Sequence, residues 1–270
     1  MIDPFVVSAL IRRTAEAVIL PRFQALAPGD IHEKRPGDLV TIANTEAEAM
    51  LGALLTQAVP GTVVCGEEGV ARNRCTLELL EQHNPVWVID PVDGTSNFVR
   101  GKPVFAVIVA LVESGMTKAG WLYDPIGGIT VHAVAGGGAW CESRRLTVDP
   151  LLPLSRMSGS AYGRILGRGD IAQWLTADGT VSTVQNSGSC GIDYIRLARG
   201  ETQFKFSSAS LPWDHAAGLL VMKEAGAEAR FLDGGDYQIH DHNRALLIAP
   251  SQDSWAALRR ALSPPLAANG

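Results

Sequence analysis

The sequence predicts one compact unit of mixed fold, with an α+β first half over residues 1–148 and an α/β second half over residues 149–270. The first observation behind this prediction is a β-rich region at 87–148, where short apolar runs are separated by turn residues. The second is the alternation of strand-like and helix-like segments after residue 156, which is typical of α/β folds. The chain contains no repeat and no low-complexity tract, which favours a globular fold.

Two helices are predicted ahead of the β-rich region. Asp3 and Pro4 suit the N-cap and the first turn of a helix with apolar residues at helical spacing. A second helix is predicted over 45–58, with Thr45 and Glu48 as its capping box. The other predicted elements are a strand at 61–69, a helix at 75–83, a helix at 191–200, a strand at 203–206, a helix at 213–227, a strand at 244–250 and a helix at 254–262.

Composition limits the class of protein. Of 270 residues, 46% are hydrophobic, which is enough for a large core and too many for a disordered chain. The formal net charge of -5 argues against a nucleic-acid partner, which would require a basic surface. Charge alone does not decide whether a small phosphorylated molecule binds, since local groups determine that.

The cysteines and the apolar runs predict a cytoplasmic protein without a membrane partner. The four cysteines form no C-x-x-C pair and no zinc-finger spacing, which favours reduced thiols. The first twenty residues lack the basic start and the uninterrupted apolar segment of a signal peptide. The most apolar run, at 105–112, is too short to span a bilayer and suits a buried strand.

Acidic residues stand where predicted strands end or helices begin: Glu67 and Glu68, Asp90 and Asp93, and Asp214. Loops at such edges concentrate functional groups on a rigid scaffold. Each position also has an ordinary alternative. The two glutamates could be solvated, the two aspartates could form a turn, and Asp214 could be an N-cap.

The stretch Asp90-Pro-Val-Asp93 favours a metal site. It follows a fully apolar strand end at 87–89, so at least one carboxylate is expected to be buried and to need a cation or donors. No histidine or cysteine is close in sequence, and an all-oxygen ligand set selects magnesium, manganese or calcium. The Val92 carbonyl could face the same ion, and the backbone N–H groups of 94–97 could bind an anion. Together these groups indicate phosphate chemistry.

Three motifs resemble those of the inositol monophosphatase family of metal-dependent, lithium-sensitive phosphatases. They are GEEG at 66–69, DPVDGT at 90–95 and WDHAAG at 213–218, in the family's order and spacing. Similar segments are VTIAN at 40–44, NSGSCGIDYIRLARG at 186–200 and KEAGA at 223–227. The resemblance covers about residues 5–250. It implies a layered α-β-α-β-α sandwich, a homodimer, and a small phosphorylated metabolite as substrate.

The resemblance also implies a role for each matching residue. One Mg²⁺ would be held by Glu67, Asp90 and the Val92 carbonyl, and a second by Asp90, Asp93 and Asp214. A third ion is possible, and Mn²⁺ could replace Mg²⁺. The implied catalytic residues are Glu67, Thr95 and Asn44. Glu68 would support the metal ligands without binding the ions itself. The implied phosphate- or substrate-binding residues are Asp93, Gly94, Thr95, Gly188, Ser189, Cys190, Ser207 and Asp214.

Two positions depart from the family pattern. Asn44 replaces an aspartate that helps to place the third metal and polarises the Thr95 hydroxyl, and asparagine carries no charge. Asn44 could instead only cap a helix. Ser207 stands seven residues before Asp214, where inositol-cleaving members have a glutamate that binds sugar hydroxyls. This change argues against inositol phosphate and leaves histidinol phosphate, a sugar phosphate and a 3′-phosphorylated nucleotide open.

The leading hypothesis is therefore a magnesium-dependent hydrolase of a small phosphate monoester that uses a metal-activated water. The first alternative is a phosphatase of a nucleotide bisphosphate or of fructose bisphosphate, for which a basic substrate pocket would be needed. Candidates for that pocket are Arg164, Arg168, Arg196 and Lys205. The second alternative is a non-catalytic regulatory relative, favoured only by Asn44. His240-Asp241-His242 could ligate a metal or form a solvated loop.

Overall fold

The computed structural model describes residues 3–73, 75, 77–163, 171–177 and 179–262. Its strands are β1 Ile31–Arg35, β2 Asp38–Thr41, β3 Val63–Gly66, β4 Val86–Asp93, β5 Ala106–Glu113, β6 Met116–Asp124, β7 Ile129–Val134, β8 Gly138–Cys141, β9 Arg144–Leu146, β10 Ser158–Tyr162, β11 Thr183–Gln185, β12 Phe204–Ser207, β13 Glu228–Phe231 and β14 Leu246–Ala249. Its α-helices are α1 Pro4–Thr14, α2 Ile42–Ala58, α3 Glu67–Ala71, α4 Thr95–Val99, α5 Ile171–Ala177, α6 Cys190–Ala198, α7 Pro212–Glu224 and α8 Gln252–Leu262.

Two sheets organise the chain. Strands β3 to β9 form a seven-stranded sheet in sequence order, parallel between β3 and β4 and antiparallel elsewhere. A five-stranded sheet has the order β11-β10-β12-β14-β13. Every residue of β4 is buried, which explains its uninterrupted apolar run. A separate hairpin joins β1 to β2.

The buried side chains form three clusters that define five layers. In the first, α1 and α2 cover one face of the seven-stranded sheet. In the second, α6 and α7 fill the space between the two sheets. In the third, α5 and α8 cover the outer face of the five-stranded sheet. This succession is the α-β-α-β-α sandwich that the sequence analysis predicts. No helix in the described part of the chain is long and apolar enough to cross a bilayer.

Four local predictions are corrected. The strand predicted at 61–69 ends at Gly66, and Glu67 and Glu68 belong to α3. Helix α2 begins at Ile42, and its capping box is formed by Thr41 and Asn44 rather than by Thr45 and Glu48. The Thr45–Glu48 pair lies one turn too far into the helix, so Glu48 is available to accept a hydrogen bond from another segment. The segment predicted as a helix at 75–83 is a 3₁₀ turn at Leu77–Glu81.

Asp214 is not the N-cap of its helix. Helix α7 has Leu211 at the N-cap and Pro212 in the first turn, which suits a residue without a backbone N–H. Asp214 therefore lies inside the first helical turn. Its side chain is not required for capping and is available to the cavity next to it.

Candidate active site

A cavity of about 640 Å³ opens where β4 ends. Its wall is formed by Lys34, Arg35, Asp38, Glu67, Val70, Ala71, Leu77, Asp90, Val92, Asp93, Gly94, Thr95, Leu211, Trp213, Asp214, His242 and Asn243. Six parts of the fold contribute to this wall: the β1–β2 hairpin, α3, the 3₁₀ turn at Leu77–Glu81, the end of β4 with the start of α4, the start of α7 and the loop before β14. Four of the five acidic residues predicted for the site, Glu67, Asp90, Asp93 and Asp214, line this cavity.

The end of β4 carries two buried carboxylates. The pairing of β4 with β5 is irregular between Asp90 and Asp93, which lie at the C-terminal end of β4. Asp90 is 2% and Asp93 is 7% exposed. The Val92 N–H donates to Asp90 Oδ1 at 3.1 Å, which fixes the first carboxylate against its own loop.

Asp214 completes a cluster of three. One carboxylate oxygen from each of Asp90, Asp93 and Asp214 lies within 4.8 Å of the others. Burial and the neighbouring carboxylates raise the pKa of Asp90 and of Asp214 well above the usual range, and burial raises the pKa of Asp93 to about 6. Buried like charges at this separation disfavour one another, so the cluster is suited to a hard cation. The all-oxygen donor set fits magnesium or manganese.

Glu67 and Glu68 lie beside this cluster, and both form ion pairs with the side chain of Lys34. Lys34 Nζ, on the β1–β2 hairpin, is 2.5 Å from Glu67 Oε1 and 3.4 Å from Glu68 Oε1. Burial opposes the charge of Lys34, but the two glutamates outweigh it and raise its pKa. Burial and Glu67 raise the pKa of Glu68 to about 7. The Glu68 N–H donates to Glu48 at 2.8 Å, which anchors this segment to α2.

Lys34 is the residue of this site that the sequence analysis does not identify. It stands in a polar segment that resembles an ordinary exposed loop. The signal that could have found it is Pro36-Gly37, a dipeptide typical of turns. A turn there pairs β2 with β1, and Lys34 lies at the irregularity of this pairing, between Glu33 and Arg35, with its ammonium group at Glu67.

Asn44 links Thr41 to Thr95 by hydrogen bonds. Asn44 is fully buried, and its Oδ1 accepts from the N–H and the hydroxyl of Thr41 at 3.0 and 2.7 Å. Its Nδ2 donates to Thr95 Oγ1 at 3.1 Å. The Thr95 hydroxyl in turn donates to the Val92 carbonyl at 2.9 Å. Asn44 is therefore the N3 residue of the α2 capping box rather than the cap of a helix that starts at Thr45, and it also donates to Thr95. Its role in catalysis stays a prediction.

The segment 188–191 lies behind Asp93. Asp93 accepts hydrogen bonds from the Cys190 N–H at 3.0 Å, from the Gly191 N–H at 2.7 Å and from the Ser189 hydroxyl. Gly94 has φ +90°, and a Cβ there would lie 3.1 Å from the Gly188 carbonyl. Only glycine fits this close approach. Whether Gly188, Ser189 and Cys190 also contact substrate stays a prediction.

Two of the residues proposed for substrate selection, Ser207 and Lys205, are buried, whereas Arg196 is half-buried. Ser207 is 4% exposed, and its hydroxyl donates to the Ala209 carbonyl at 2.7 Å. Lys205 is buried and pairs with Asp193 at 3.3 Å, so its charge is already partnered. Arg164 and Arg168 lie outside the described residues.

Comparisons with known proteins agree with this geometry. A model of the inositol monophosphatase family matches residues 5–263. An inositol-1-monophosphatase from Mesorhizobium japonicum is 33% identical over 240 residues, which are 87% of this chain and 86% of that protein. A fructose-1,6-bisphosphatase/inositol-1-monophosphatase from Thermotoga maritima is 29% identical over 213 residues, which are 78% of this chain and 79% of that protein. The solved structure of an IMPase from T. maritima matches with a TM-score of 0.80, 23% identity and 96% coverage of both chains.

The fold, the carboxylate cluster and these matches define a phosphatase, a hydrolase of phosphoric monoesters. The chain belongs to the inositol monophosphatase family. Membership confirms the resemblance inferred from the three motifs, and it supports a bound metal and a small phosphorylated substrate. The structural match confirms the layered sandwich.

Proposed function

We propose that the chain hydrolyses a small-molecule phosphate monoester in a magnesium-dependent reaction. The observation that carries this proposal is the cluster of three buried carboxylates in the cavity wall. Glu67, Asp90 and the Val92 carbonyl would hold one ion, and Asp90, Asp93 and Asp214 a second. Two or three ions are expected, and Mn²⁺ should substitute because it accepts the same oxygen ligands.

Bound magnesium would neutralise the phosphate and lower the pKa of the attacking water. The chain's own residues would do the rest. Thr95 would orient the water through its hydroxyl, with Asn44 holding that hydroxyl in place. The backbone N–H groups of Gly94 and Thr95 would bind the phosphate oxygens. Glu68 and Lys34 would keep Glu67 in position at the cavity wall.

Inositol 1-phosphate is not the proposed substrate. Ser207 offers no carboxylate, and its hydroxyl is already bonded to a backbone carbonyl. A bisphosphate substrate is a second candidate, because Arg35 lines the cavity and could meet a second phosphate. The T. maritima relative whose name includes fructose-1,6-bisphosphatase supports this candidate. Histidinol phosphate remains an alternative substrate, for which the described residues show no specific contact.

A panel of phosphate esters tests the proposal directly. Magnesium should support release of inorganic phosphate from at least one monoester, and EDTA should abolish it. Turnover of a metal-stripped sample at the full rate would contradict the metal role. Preference for a bisphosphate over every monoester would establish the second candidate. Preference for inositol 1-phosphate would overturn the argument from Ser207.

Two further properties are proposed from the family resemblance and the composition. The chain is expected to form a homodimer, which sedimentation velocity would test. It is expected in the cytoplasm, since its cysteine spacing favours reduced thiols. Cell fractionation would test the location.

A further inference from the structure

The cavity contains a polar group that none of the family motifs includes. His242 lies in the loop before β14 and lines the cavity together with Asn243. Nearby in the same wall are Leu211 and Trp213, which precede Asp214 on the chain. This part of the wall adjoins the carboxylates and is therefore placed to meet the alcohol portion of an ester.

The hydrogen bonds of His242 determine what its ring can bind. His242 Nδ1 is 3.0 Å from the His240 carbonyl. A backbone carbonyl only accepts, so Nδ1 carries the proton in this contact. In the neutral ring the other nitrogen, Nε2, then has a lone pair and accepts a hydrogen bond. A hydroxyl of a ligand is the matching donor.

Hydrogen bonds from Ser210, just before α7, hold the loop that carries His242. The Ser210 N–H donates to the His242 carbonyl at 3.0 Å, and the Ser210 hydroxyl donates to the Asp241 carbonyl at 2.7 Å. Arg244 pairs with the Asp241 side chain at 2.7 Å. Ser210 is fully buried and stands four residues before Asp214. These contacts fix His242 relative to the carboxylate cluster.

We propose that His242 determines specificity by accepting a hydrogen bond from a hydroxyl of the leaving alcohol. The preferred substrates are then phosphate monoesters of small hydroxylated alcohols other than inositol. Leu211 and Trp213 would pack against the carbon skeleton of that alcohol. This inference rests on the proposed phosphatase function and assigns to His242 the selection that Ser207, turned toward Ala209, does not perform.

The test compares His242→Ala with the unchanged protein on two esters of the same carbon skeleton. Glycerol 2-phosphate carries two hydroxyls, and isopropyl phosphate carries none. His242→Ala should lower kcat/KM for glycerol 2-phosphate about fivefold, mainly through KM, because one hydrogen bond is lost. The value for isopropyl phosphate should change little. His242→Gln, which can place an amide group near the position of Nε2, should restore part of the preference.

His240→Ala is the matched control. His240 is in the same loop but faces Glu81, with 3.4 Å between Nδ1 and the carboxylate. This variant should leave both esters unaffected, and inhibition by inorganic phosphate should be equal in all variants. An equal loss on both esters, or no loss on either, would overturn the role of His242. Failure of the unchanged protein to hydrolyse either ester or any other phosphate ester would count against the proposed phosphatase function instead.

Discussion

Replacing Asn44 with aspartate should reverse the hydrogen bond that reaches Thr95. The Thr41 N–H can only donate, so it fixes Asn44 Oδ1 as the acceptor and leaves Nδ2 to donate to Thr95. The Thr95 proton is then directed at the Val92 carbonyl. In Asn44→Asp both side-chain oxygens accept. The Thr95 proton would turn to the new carboxylate, which frees the Val92 carbonyl and a Thr95 lone pair.

The expected result is a rise in kcat of about tenfold, which corresponds to about 1.4 kcal/mol of transition-state stabilisation. A hydrogen bond to a charged group contributes about 1.5–3 kcal/mol. Part of this is offset because the carboxylate must ionise at a position that is 0% exposed. The magnesium concentration for half-maximal rate should also fall, since the added negative charge lies beside Thr95, a residue of the cavity wall. Initial rates over a magnesium titration measure both quantities.

The Thr95→Val variant provides the control background. Thr95→Val removes the hydroxyl that would bond the new carboxylate. Asn44→Asp should therefore give no gain in kcat when Thr95→Val is also present. The melting temperature should show that α2 is still capped, because aspartate can accept from the Thr41 N–H as asparagine does. An equal gain with and without the Thr95 hydroxyl, or titration curves identical for Asn44 and its variant, would refute the reasoning.

Three other outcomes are expected. Asp214→Asn should abolish magnesium-dependent turnover while circular dichroism stays unchanged, because one of three clustered carboxylates is lost. As the pH falls toward 6 and below, the magnesium requirement should increase, since Asp90, Asp93 and Asp214 all have raised pKa values, that of Asp93 being about 6, and protons held there compete with the cation; magnesium titrations over this pH range measure the effect. Lys205→Met should lower the free energy of unfolding by about 3–5 kcal/mol, because it leaves Asp193 buried without its partner, and urea denaturation should show partial recovery on adding Asp193→Asn.

The sequence predicts the parts of the fold that local patterns specify. The apolar run before Asp90 predicts a buried strand, and the Trp213 region predicts a helix. The start of α2 is mispredicted because Thr41 and Thr45 are each followed three residues later by a side chain that could complete a capping box. Local sequence preference does not decide which of the two capping boxes forms. The tertiary contact between Asn44 and Thr95 favours the one at Thr41.

The candidate site is predictable only in part for a similar reason. Asp90 and Asp93 are close in sequence, so their proximity follows from one strand end. The approach of Asp214 comes from the resemblance, because packing of α7 on the sheet has no local signal. Pro36-Gly37 indicates the turn beside Lys34, but tertiary contacts decide where that hairpin and the loop of His242 lie, and no spacing in the sequence encodes those contacts.

The hydrogen bonds to Asp93 have a consequence for the order of folding. Asp93 accepts from Ser189, 96 positions further along the chain, and from the start of α6. A fragment ending at residue 148 would contain Asp90 and Asp93 but neither these donors nor Asp214. Contacts between such distant residues require closure of a long loop and are expected late on the folding pathway. Magnesium should therefore slow unfolding more than it accelerates refolding, because its ligands assemble only after the barrier has been crossed.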